Sequence, residues 1–158
     1  MAVIQSIVYQ PTDQEYDERL DNFVRVPKDQ VNLVTNHGIE GDAKAGHNPE
    51  RQLSLLSNHW VGTMQEKGYK TNPGDFGEQI VIEGVVLEDL QPGDRLLMGA
   101  GALVEITKVR TGCTRLETAQ GNSLKADIEY IGMMAKVLNG GAIKVGDPVQ
   151  VIEAYREN

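Results

Sequence analysis

The chain has 158 residues, of which 40% are apolar and 24% charged, with 17 glycines and one cysteine. That length is ordinary for one domain spanning 1–158 and large enough to build a core without a disulfide or structural metal. A net charge of −8 at pH 7 repels phosphate backbones, and with no Lys/Arg run or aromatic-interleaved basic stripe it excludes a nucleic-acid partner. No apolar window approaches a membrane span and MAVIQSIVYQ has no signal-peptide pattern, so the expectation is a cytoplasmic protein without a membrane partner.

VIQSIVY at residues 3–9 is apolar and β-branched before a Pro-Thr-Asp break, and reads as the first strand. The charged DQEYDERLDNF at 13–23 is read as a helical turn or two, or a loop, and FVRVP and VNLV as short extended pieces. GIEGDAKAGHNPERQ at 38–52 has no period and reads as a loop. QLSLLS at 52–57 alternates as a strand, and Ser57-Asn58 can cap a helix through Trp60, Val61, Met64 and Gln65 that Gly68 ends.

In NPGDFGEQIVIEG, turn residues precede a strand with Ile80 and Ile82 on one face. LQPGDRLLMGAGALVEITKV at 90–109 predicts a hairpin, with strands from Arg95 to Met98 and from Leu103 to Val109 and a shift of alternation before Val109. Residues 122–131 carry a second helix candidate, MMAKVL is strand-like, and IKVGDPVQVIEA is read as one closing strand. About seven short strands with one or two helices predict a mainly β protein, a small closed or partly closed antiparallel or mixed β-barrel.

Cys113 stands in KVRTGCTRLE, where backbone N–H groups, two threonine hydroxyls, Arg110 and Arg115 favour a thiolate, the form that attacks sulfur or binds metal. The plain alternative is an inert, buried thiol. Asp42, Lys44, His47 and Arg51 fall within ten residues of the glycine-rich segment. Lys44 and Arg51 there suit an anion, and the plain alternative is a solvated surface loop. His37, His47 and His59 have no ligand spacing, which argues against zinc. Walker, GxGxxG and G-x-S-x-G patterns are absent.

In order and spacing, GIEGDAKAG with its downstream ERQ, PGDFGEQIVIEG, LQPGDRLLMGAGALVEITKVRTGC and GGAIKVGDPVQV resemble the MOSC domain, the module named for the C-terminal part of molybdenum-cofactor sulfurase. The resemblance implies a β-barrel-like fold and a role around molybdenum, with Cys113 as the molybdenum ligand or the persulfide carrier. It further implies that Lys44 and Arg51, with Arg110 or Arg115, hold the phosphate of the pterin cofactor, molybdopterin. Asp42, His47, Glu78 and Gln79 complete the implied cofactor-binding set. This chain has Glu78-Gln79 where the family commonly has Glu-Asn, Lys44 where it commonly has a histidine nearer the Gly-Asp, and Gly112 where proline often precedes the cysteine.

Two functions follow from the resemblance. One is a module that binds the cofactor, or sulfur supplied by a pyridoxal-phosphate cysteine desulfurase, and hands it to a molybdoenzyme or a cofactor-biosynthesis protein. The other is a molybdenum-dependent reductase of N-hydroxylated compounds, which without iron–sulfur, flavin or nicotinamide motifs of its own would draw electrons from a redox partner.

Overall fold

The computed structural model describes residues 2–12, 25–111, 120–121 and 130–154. The charged segment at 13–23 and most of the helix expected at 122–131 lie outside them.

Among the described residues, eleven strands and one α-helix follow in chain order: β1 (Val3–Tyr9), β2 (Val26–Pro27), β3 (Gln30–Val34), β4 (Gly38–Ile39), β5 (Leu53–Ser57), α1 (Asn58–Glu66), β6 (Ile80–Glu83), β7 (Arg95–Met98), β8 (Ala102–Val109), β9 (Met133–Asn139), β10 (Gly141–Lys144) and β11 (Val149–Ile152). Eight form a curled sheet in the order β11-β7-β8-β9-β5-β6-β1-β2, and three form a small sheet, β10-β3-β4. The mainly β, partly closed barrel expected from the turn spacing is what the chain adopts.

Two details differ from the sequence reading. The stretch read as one closing strand is two, because Val145 and Gly146 turn the chain from β10, paired with β3, to β11, paired with β7. The glycine-rich loop begins with the short β4, which pairs with β3. By contrast, the shift of alternation in β8 is present as a register break against β9 between Ile106 and Lys108, where an extra residue re-aims the side chains that follow.

Curling brings the two ends of the large sheet together. Ile4 N donates to Asp147 O at 2.9 Å, Gly146 N to Ile4 O at 2.8 Å and Val149 N to Ala2 O at 2.9 Å. The main core fills the inside, with Ile4, Leu53, Leu55, Ile80, Ile82, Leu96, Val104 and Ala135 almost fully enclosed.

The strands β5 and β6 are parallel, an arrangement that needs a crossover, and α1 lies between them in the chain. Ser57 caps the helix, its Oγ accepting from Trp60 N at 3.2 Å. A second cluster of Leu56, Trp60, Met64, Tyr69, Phe76, Val81 and Ile131 joins the helix to the sheet, and Trp60 meets Phe76 edge-on at 4.9 Å between ring centroids. Every residue of β5 is buried in consequence: Leu53 and Leu55 face the main core while Leu56 faces the helix cluster. Ser54, on the same face as Leu56, is left to line the site.

Candidate functional site

The site lies where β5, β9 and the end of β8 converge with the loops at 43–52 and 72–79. Ser54 pairs with Met134 across the β5–β9 ladder, and both contribute to the wall of a cavity of about 490 Å³. Arg25, Lys44, His47, Arg51 and Arg110 line the same cavity, with Gln79 and Thr111. In a chain of net charge −8, three arginines, a lysine and an imidazole converge on one opening.

Its walls are built from hydrogen bonds that begin at Asp42. That carboxylate is 3% exposed and does not face the opening. Its Oδ1 accepts from Gln10 N at 3.2 Å and Lys44 N at 3.1 Å, and its Oδ2 from Gln79 Nε2 at 3.2 Å. Gln79 Oε1 in turn accepts from Ser54 N at 2.6 Å. One amide therefore ties the first turn of the cationic loop to the central strand. The far end of the loop is held by buried Gln52, whose Oε1 accepts from Val137 N at 2.8 Å and whose Nε2 donates to Pro49 O at 3.1 Å. Thr107 Oγ1 also donates to Glu50 O. The loop that carries Lys44, His47 and Arg51 is thus anchored at both ends before any ligand arrives.

The opposite wall folds around Glu78, which is 2% exposed. Its Oε2 accepts from Gly74 N at 2.7 Å and its Oε1 from Phe76 N at 3.2 Å. Burial pushes the carboxyl above its usual range, against the opposing pull of the N–H donors and of the Arg110 guanidinium. Arg110 is itself buried; its Nη1 donates to Phe76 O at 2.5 Å and to Ser54 Oγ at 3.3 Å. Arg25 Nη2 donates to Gly77 O at 2.9 Å. Both arginines hold backbone carbonyls of the 72–79 turn while lining the cavity.

The residues singled out from the sequence therefore divide. Lys44, His47, Arg51, Gln79 and Arg110 line the cavity, whereas Asp42 and Glu78 stand behind its walls and shape them. Cys113 and Arg115 lie outside the described residues; the chain reaches the wall at Thr111 and Cys113 is two positions further on. Arg25 was not anticipated, because it sits in a short extended piece with no motif around it. Neither His37 nor His59 lines the cavity, and among the described residues no three His, Cys, Asp or Glu side chains gather as a metal site.

A model of the MOSC domain matches residues 42–150. The chain belongs to the MOSC domain family. That span takes in the cationic loop, the Glu78 turn, the hairpin of β7 and β8, and the segment carrying Cys113. Membership points this MOSC protein to molybdenum-cofactor-related function. Among solved structures it is similar to the YuaD protein from Bacillus subtilis, at 18% identity and a TM-score of 0.74, covering 98% of each chain. It is also similar to YiiM from Geobacillus stearothermophilus, at 21% identity and a TM-score of 0.68 over 97% of this chain and 76% of that one. YiiM from Escherichia coli matches at 18% identity and a TM-score of 0.65, over 98% and 72%. At these identities the likeness establishes the fold. No curated protein matches the chain, and no helix among the described residues is long and apolar enough to cross a membrane.

Proposed function

We propose that this MOSC protein holds molybdenum cofactor, or sulfur destined for it, and passes its cargo to a molybdoenzyme or a cofactor-biosynthesis protein. The observation that carries this reading is the convergence of Arg25, Lys44, Arg51 and Arg110 on one cavity, together with Thr111, which stands two positions before the one cysteine in the sequence. Cations in a cleft suit the phosphate of a pterin cofactor, and Ser54 and Thr111, which line the same cavity, carry hydroxyls that suit its polar ring edges. The donor set therefore fits the cofactor. Lys44, Arg51 and Arg110 would hold its phosphate, with Arg115 as a further candidate, and His47 stands beside them.

Cys113 is the proposed metal ligand or sulfur carrier. Either role uses the thiolate, which Arg110 and Arg115, near it in the sequence, would favour. When bound, the metal would supply oxygen-atom or sulfur chemistry, while this chain's residues orient the cofactor and exclude water around it. A thiol kept reduced for that purpose suits the cytoplasm. A cysteine desulfurase is the proposed source of sulfur if sulfur is the cargo.

The test is molybdenum and pterin content after anaerobic loading and gel filtration, for the unaltered protein and Cys113→Ala side by side. Retention that depends on Cys113 supports a metal ligand and makes turnover of N-hydroxylated compounds with an artificial electron donor the next assay. Retention by neither protein overturns cofactor holding. Sulfur carriage then stands only if Cys113 gains the mass of one sulfur from a desulfurase and cysteine.

A further inference from the structure

His47 rides on a turn whose path is set before the ring begins. Ala45 N donates to Asp42 O at 3.0 Å and Gly46 N to His37 O at 3.0 Å. Gly46 has φ of 79°, and a Cβ there would stand 2.8 Å from His37 Nδ1. Only glycine satisfies both the left-handed backbone and the approach of His37. The next residue, His47, then turns its ring back over the same loop, where Nε2 lies 2.8 Å from Ala43 O.

A carbonyl oxygen offers only lone pairs, so the ring nitrogen facing it carries a proton. Neutral His47 is accordingly the Nε2–H tautomer, and its Nδ1 is a bare acceptor. An oxyanion with no proton of its own finds no free donor on that ring, whose one N–H is held by Ala43 O. Adding a proton turns Nδ1 into a charged N–H, and the same ring becomes an anion ligand.

Arg25, Lys44, Arg51 and Arg110 line the cavity with it. His37 stands behind Gly46, and the carboxylates of Asp42 and Glu78 are buried behind the walls. We propose that His47 couples anion uptake to proton uptake: the cavity binds a fully ionised oxyanion group with His47 as imidazolium, its Nε2–H on Ala43 O and its Nδ1–H on the anion. The proton comes from solvent and returns there on release. This rests on the reading of the cavity as an anion site and adds to it a ligand whose strength depends on pH.

Sulfate is the suitable probe, because it stays fully ionised from about pH 5 to 9 and contributes no titration of its own. The His47 ring is followed by NMR through a pH titration with and without saturating sulfate, and sulfate affinity is measured across the same range for the unaltered protein and His47→Gln. Saturating sulfate is expected to move the His47 midpoint to higher pH. Affinity is expected to fall by up to about tenfold per pH unit above the midpoint of the free protein. His47→Gln, which offers a neutral amide donor at every pH, is expected to lose that slope.

An unchanged His47 midpoint while sulfate perturbs the Arg51 and Arg110 side chains would overturn the coupling and leave the anion cavity standing. A slope that persists undiminished in His47→Gln places the proton on Glu78 or His37 and also overturns it. Sulfate that perturbs none of these residues at any pH removes the coupling and the anion cavity together. Cofactor holding by Cys113 keeps its own test in the loading experiment.

Discussion

Gln79 Nε2 donates to Asp42 Oδ2 at 3.2 Å while Gln79 Oε1 accepts from Ser54 N at 2.6 Å, all three residues being buried. The amide is the right length to bridge a loop carboxylate and a strand N–H at once. Gln79→Ala leaves both partners buried without it, a loss of about 3 kcal/mol by the usual cost of orphaned polar groups. Gln79→Asn, one methylene shorter, is expected to keep one of the two bonds and to lose roughly half as much. Urea denaturation of the three proteins checks the order; equal stability of all three would remove the bridge from the account.

Glu78 links stability to pH with a definite sign. Its carboxyl is raised in the folded state by burial, so between the unfolded and folded values the folded protein binds more protons than the unfolded. Stability from this group is then fullest below the unfolded value of about 4.3 and is lost as pH rises through the folded value. Replacement by glutamine removes the titration, although its NH₂ then faces one of the two N–H donors from Gly74 and Phe76. The advantage of the unaltered protein over Glu78→Gln is therefore expected to shrink as pH rises from about 4 to 8. Paired denaturation curves across that range test it, and an advantage that grows with pH would show a lowered carboxyl instead.

Arg51 and Arg110 line the same cavity but differ in burial, Arg51 being exposed and Arg110 buried. Arg51→Ala is expected to weaken anion binding while changing stability by no more than about 0.5 kcal/mol. Arg110→Ala also removes the donor to Phe76 O and Ser54 Oγ and the cation beside Glu78, so stability falls by about 3 kcal/mol along with binding. Sulfate titration and thermal melts of the two variants separate the two effects. A stable Arg110→Ala protein would relieve that residue of its structural part.

Gly132 leads the chain into β9 with φ of 85°, and a Cβ there would sit 2.2 Å from Leu55 O and 2.5 Å from Leu56 Cδ2. Neither the strand backbone nor the packed leucine can step aside cheaply. Gly132→Ala is expected to cost about 3 kcal/mol or more, read as a lowered denaturation midpoint or as loss of soluble protein. Full stability of this variant would contradict the close packing of β9 on β5.

Local chemistry made much of this architecture readable. The Ser57 cap and Gly68 bracket α1, Pro-Gly-Asp and Gly-Ala-Gly turns bound β7, and the shift in β8 appears as broken alternation. The division of the last stretch between two sheets was not readable, because Val145 and Gly146 turn the chain toward partners, β3 and β7, more than forty positions away. In the site, Lys44, His47 and Arg51 announced themselves as a polar cluster in a glycine-rich segment. Asp42 and Glu78 look the same in the sequence, and only tertiary hydrogen bonds reveal that they serve the walls. Arg25 had no local signal, since its place at the cavity depends on Gly77 O across the fold.

The meeting of Ile4 with Asp147 also governs how the barrel comes to exist. These partners stand far apart in the sequence, and β1 must in addition wait for β6. Loop closure over such separations is the slow step of β topologies. During synthesis β5, α1 and β6 can associate early, whereas β1 cannot find its partners at 146–149 until that downstream segment has been made. The curled sheet therefore closes later than the association of β5, α1 and β6, and until then β1 presents an open edge on which the chain is exposed to mispairing.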